Sequence, residues 1–152
     1  MELSQAVAYA INAVLRLAEN PEGSPVAADR IAKQGIMPER FLALILRDLG
    51  KYGILQSTRG ASGGFMLVRP PDEISLLEMI EAVEGRMFAS LPLKKDLPHP
   101  AGERLLGVLG DITEYARGEL QTIKLSDFAK VEANAEMTSK QKIRGRKQQD
   151  GS

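Results

Sequence analysis

Apolar residues recur at three- and four-residue spacing between residues 4 and 19, at Val7, Ala10, Ile11, Val14, Leu15 and Ala18. This spacing predicts a helix with one buried stripe, and Ser4 is placed to cap its first turn. The breaker cluster Asn20-Pro-Glu-Gly-Ser-Pro25 ends it, and Val26 to Lys33 then offers a short amphipathic helix with Ala28, Ile31 and Ala32 inward. Gln34-Gly-Ile-Met37 makes a tight connection, and Pro38 suits the first position of a third helix running to about Tyr52. In that helix Phe41, Leu42, Ile45, Leu46 and Leu49 form the expected buried stripe, leaving Glu39, Arg40, Ala43, Leu44, Arg47 and Lys51 toward solvent.

Gly53 stops the third helix, and two β-compatible runs follow, Ile54 to Thr58 and Phe65 to Arg69, joined by Arg59-Gly-Ala-Ser-Gly-Gly64. They predict a hairpin with a glycine-rich tip. Ser75-Leu-Leu-Glu78 is a capping-box pattern that opens a fourth helix over about 75–84. Helical periodicity lapses in the proline-bearing stretch 86–102 and returns from Glu103 to about Thr122, with Leu105, Leu109, Ile112 and Ala116 on one stripe and Leu106, Thr113 and Leu120 beside it. Gly107, Gly110 and Gly118 weaken this helix by roughly 1 kcal/mol each relative to alanine, so its wide apolar face needs a packing partner.

The fold class expected is mainly α with a small β-hairpin: a winged helix-turn-helix followed by a long helix. Its expected parts are a DNA-binding unit over 1–85, a linker over 86–102, the long helix and a short last helix over 103–130, and a disordered basic tail over 131–152. In such a fold the third helix is held by its inner stripe while its outer side chains enter a major groove. The hairpin reaches the neighbouring minor groove, where Arg59 meets the most negative potential.

Composition narrows the chemistry. The 152 residues suit one compact domain, or a small domain with an appended arm, better than two full-sized domains, and 20 Lys and Arg balance 20 Asp and Glu, so a charged partner must be met by a local patch. The chain has no cysteine, which excludes disulfides, clusters or zinc held by its own thiolates, and thiol catalysis. No apolar run approaches the roughly 20 residues that span a bilayer, and the opening Met-Glu-Leu-Ser-Gln lacks the basic region of a secretory signal, so a cytoplasmic protein without membrane attachment is expected.

Several motifs resemble a known family. Leu3, Tyr9 and Ala10, the run Ile31-Ala-Lys-Gln-Gly-Ile36, Pro38-Glu-Arg-Phe-Leu42, Leu49-Gly-Lys-Tyr-Gly53, and Arg59-Gly60 followed by Gly63-Gly-Phe65 are similar to the Rrf family of bacterial transcription regulators, to which IscR, NsrR, RirA and CymR belong. The resemblance covers residues 1–85, and the stretch Ile123-Lys-Leu-Ser-Asp127 resembles the family's usual ending. It implies a homodimeric regulator, more often a repressor, in which the long helix is a dimerisation helix and the last short helix reaches the partner's DNA-binding domain.

Three departures from the family pattern carry consequences. The cysteines on which many relatives hold an iron-sulfur cluster before the long helix are absent, so no cofactor of that kind is expected. Glu2, Gln5, Ala6 and Ala8 stand where relatives carry cations near the first helix, which weakens phosphate binding there. Ala43 and Leu44 replace the polar residues that relatives aim at base edges; they can touch a thymine methyl but cannot form hydrogen bonds.

Residues 1–85 hold eight Lys or Arg against eleven Asp or Glu, an unusual balance for a DNA reader. The expected contact set is therefore local: Arg40, Ala43, Leu44, Arg47 and Lys51 at the major groove and Arg59 in the minor groove of double-stranded DNA. Two other readings stand beside it. One is a winged-helix protein-interaction module that has lost specific DNA binding. The other keeps DNA binding and adds a small-molecule or metal effector near 86–102, where His99 lies with Asp96 and Glu103, although a lone histidine between prolines is more often solvated. The glycine-rich tip lacks the Lys-Ser/Thr of a phosphate loop, and the one histidine has no nucleophile motif near it, so an enzyme is not expected.

Overall fold

The computed structural model describes residues 2–20, 23–35, 37–92 and 96–129. Three helices, α1 (Gln5–Ala18), α2 (Ala28–Gly35) and α3 (Glu39–Lys51), precede a hairpin of β1 (Leu55–Thr58) and β2 (Gly64–Leu67), and α4 (Leu76–Glu84) and α5 (Ala101–Thr122) follow. The expected class, mainly α with a small hairpin, is the class observed.

Local chemistry sets most element ends. The Ser4 hydroxyl accepts from the Val7 N–H, and at α4 the Ser75 hydroxyl accepts from Glu78 N–H while the Glu78 carboxylate accepts from Ser75 N–H, a complete capping box. Pro38 caps α3 instead of opening it. At the other end of α3, Gly53 has a φ of 76° and donates to the Gly50 carbonyl, while Ile54 N–H donates to the Leu49 carbonyl at 3.0 Å. This is a Schellman stop, and its hydrophobic contact is supplied by the buried pair Leu49 and Ile54.

The core is built around α1, which touches α2, α3, α4 and β2. That wide contact explains a difference from the expected stripe. Val7, Ala10, Ala13, Val14 and Leu17 are buried, whereas Ile11, Leu15 and Ala18 are only partly covered, because neighbours on several sides rotate the buried arc. In α3, Leu42, Ile45, Leu46 and Leu49 are buried as expected, but Phe41 is 59% exposed. At about 100° per residue Phe41 lies roughly 90° from the centre of that stripe, on its flank.

The hairpin pairs Leu55 with Leu67 and Thr58 with Gly64, antiparallel. A third extended segment joins it: Val26 and Phe65 exchange both backbone hydrogen bonds at 2.9 Å, which fastens the wing to the lead-in of α2. Gly64 is required at this junction, since a Cβ there would lie 2.3 Å from the Val26 carbonyl oxygen.

Only Gly102 and Leu120 are buried along the 22 residues of α5. Leu120 packs with Val7, Leu76, Leu77 and Ile80 in a satellite cluster, and Arg117 pairs with Glu81. Elsewhere Leu105, Val108, Ile112 and Tyr115 form an exposed apolar row. The chain then returns to its own body. Leu76 N–H donates to the Ile123 carbonyl, Leu125 N–H to the Ile74 carbonyl, and the Leu125 side chain is fully buried in the main core. This last segment completes the core beside Ile74 within the same chain. The expected basic tail over 131–152 lies outside the described residues.

Candidate nucleic-acid interface

The inner stripe of α3 fixes which side chains face solvent. Arg40, Ala43, Leu44, Arg47 and Lys51 are all exposed, on the side opposite Leu42, Ile45, Leu46 and Leu49. Arg59 is exposed at the start of the hairpin tip, where Gly60 has a φ of 110° and the Gly63 N–H donates to the Gly60 carbonyl. Five of these six candidates therefore share one helix, and the sixth stands on the wing.

The charges on this face are partly tied up by a residue that sequence reasoning passed over. Asp48 accepts from Arg47 Nε at 3.3 Å and lies 3.7 Å from Lys51 Nζ, so one carboxylate serves two of the cations. The signal was local: Asp48 is adjacent to Arg47 and three residues before Lys51, a spacing at which helical side chains meet. Among the described residues, Arg40 and Arg59 make no ion pair.

Other acidic residues that make residues 1–85 net negative are turned to structural use. Glu78 receives Arg69 at 2.7 Å as well as both Ser75 donors. Burial alone would raise its carboxyl, but the Ser75 N–H, the Arg69 guanidinium and the Ser75 hydroxyl outweigh it and hold the group below the ordinary glutamate value. Glu81 is buried against Arg117.

The residues before α5 do not fit an iron centre. There is no cysteine, and among the described residues no group of three or more His, Cys, Asp or Glu side chains is placed to hold a metal ion; Asp96, His99 and Glu103 are not brought together as one. No described helix is long and apolar enough to cross a membrane.

Helix, helix-turn-helix, clipped hairpin and a cationic outer face on α3 together define a winged-helix DNA-binding protein. The particular family follows from comparison: Rrf2, described as an iron-dependent transcriptional regulator, matches residues 3–131, and the chain belongs to it. It is a DNA-binding regulator, not an enzyme, in agreement with the motif resemblance.

The chain is 34% identical over 131 residues to the candidate HTH-type transcriptional regulator Rv1287 of Mycobacterium tuberculosis, covering 85% of this chain and 81% of that protein. It is 39% identical over 93 residues to an rrf2-like regulator of Rhodobacter capsulatus, of which it spans 61%. Among solved structures it is similar to T. potens IscR, with a TM-score of 0.66 at 26% identity over 89% of this chain and 90% of that one. It is also similar to oxidised CymR of Staphylococcus aureus, with a TM-score of 0.63 at 26% identity over 85% and 96% of the two chains. The absence of cysteine sets this chain apart from cluster-bearing relatives, whatever metal the family description implies.

Proposed function

We propose that the protein is a homodimeric transcription repressor that lays α3 in the major groove and the wing in the adjacent minor groove. Arg40, Arg47 and Lys51 engage phosphates and base edges, Ala43 and Leu44 approach the bases, and Arg59 enters the minor groove. The observation that carries this reading is the one-sided array on α3: three cations on the face turned away from the core, with Arg59 on a wing fastened to the same body through Val26 and Phe65.

The exposed row Leu105, Val108, Ile112 and Tyr115 supports a second copy along α5. Its spacing of three, four and three residues is that of a helix–helix seam. Residues 1–85 form the reading unit in this account, and 103–130 supply the seam and its anchor. Segment 86–102 connects the two. A protein with this role works where the chromosome is, in the cytoplasm.

Selection from a random duplex library at low salt tests the function. The expected product is an inverted repeat with half-sites about one helical turn, roughly 34 Å, or a multiple of it, apart. Absence of any enriched sequence would favour a protein-interaction module instead.

A further inference from the structure

Leu44 stands at the centre of the outer face of α3. At about 100° per residue, Arg40 four residues before it, Arg47 three after and Lys51 seven after lie on its own side of the helix. It is 50% exposed and joins neither hydrophobic cluster. Phe41, three residues earlier and on the flank, extends the apolar surface, and Ala43 adds a methyl beside it.

An aliphatic protein partner seated on Leu44 would also have to cover three cations and strip their water, which is costly without matched acids. A nucleic-acid duplex resolves the conflict. Its phosphates take the cations, and its major groove presents one apolar group among polar edges, the C5-methyl of thymine. Neither Leu44 nor Ala43 can donate or accept a hydrogen bond through its side chain, so neither can read the polar pattern of a purine.

We propose that Leu44 is a specificity-determining residue that reads a pyrimidine C5-methyl group in the major groove. The inference rests on the reading that α3 enters that groove. It has a chemical corollary: what is recognised is the methyl, so 5-methylcytosine is accepted at the same position and unmodified cytosine is not.

The experiment uses the full-length protein and a duplex enriched from the random library. Each thymine is replaced in turn by deoxyuridine, which keeps pairing and removes only the methyl. One or two positions per half-site are expected to lose about fourfold in affinity, the worth of one buried methyl-sized group. With cytosine at such a position, C5-methylation should restore a similar factor. Leu44→Ala, at an exposed site, should keep the helical circular dichroism of the parent and lose the thymine–uracil discrimination.

Equal affinity for thymine and uracil at every position of a specifically bound duplex would overturn methyl reading and leave DNA reading standing. Discrimination that survives Leu44→Ala would overturn the assignment to Leu44. Failure to enrich any duplex would remove the proposed function and this inference together.

Discussion

The guanidinium of Arg117 in α5 donates to the carboxylate of Glu81 in α4, where the two side chains retain only 16% and 8% of their exposure. The same carboxylate accepts from Met87 N–H at 2.9 Å and from the Tyr52 hydroxyl at 3.3 Å. The end of α3, helix α4, the start of segment 86–102 and helix α5 therefore meet at one buried charge. Arg117→Ala leaves that charge without its cation and is expected to cost about 3–5 kcal/mol. A urea titration at fixed protein concentration measures the loss.

Glu78 gives the fold a defined acid sensitivity. Its folded carboxyl is held below the ordinary value, so its contribution is complete above the unfolded pKa and is lost as pH falls through the folded one. Unfolding free energy measured from about pH 5 downward should therefore fall more steeply in the parent than in Glu78→Gln. At neutral pH the variant should be the less stable of the two, having lost the Arg69 ion pair and weakened the cap.

Gly64→Ala tests how the wing is held. The added Cβ would sit 2.3 Å from the Val26 carbonyl oxygen and 2.4 Å from its carbonyl carbon, and backbone on both sides leaves nothing flexible to yield. The Val26–Phe65 bridge should open. Hydrogen exchange at the Val26 and Phe65 amides should accelerate, and stability should fall by about 1–3 kcal/mol, the range for overpacking. Val26 itself is buried, so the lead-in of α2 should loosen with the wing.

Asp48→Asn should strengthen binding to duplexes of any sequence. It removes the carboxylate shared by Arg47 and Lys51 and frees both for phosphates. Because the pairs are exposed, folding stability should change by less than about 1 kcal/mol. Affinity at low salt should rise several-fold, read by fluorescence anisotropy across a salt series.

Much of the fold was written locally. Ser4, the Ser75–Glu78 box and Gly53 each act on backbone groups within a few residues, so their roles could be read from order alone. Whatever depended on distant partners was less legible. The rotation of the α1 stripe toward Ala13 and Leu17 depends on four neighbours, and the burial of Leu125 depends on Ile74, some 50 residues away in sequence. Phe41 lay within reach of a wheel projection, but its type outweighed its angle. For the candidate interface, the exposure of Arg40, Ala43, Leu44, Arg47 and Lys51 followed from periodicity and that of Arg59 from its place at the hairpin tip, whereas the neutralising position of Asp48 had to be seen in space.

The most direct measurement compares the parent with Arg47→Ala and Arg59→Ala on one enriched duplex over a salt series. If α3 and the wing are the DNA-reading surfaces, Arg47→Ala lowers affinity and, where it meets phosphate alone, reduces the slope of log K against log salt by about one. Arg59→Ala weakens binding most on duplexes with A·T-rich flanks. Unchanged affinity and slope in both variants would rule out α3 and the wing as the DNA-reading surfaces.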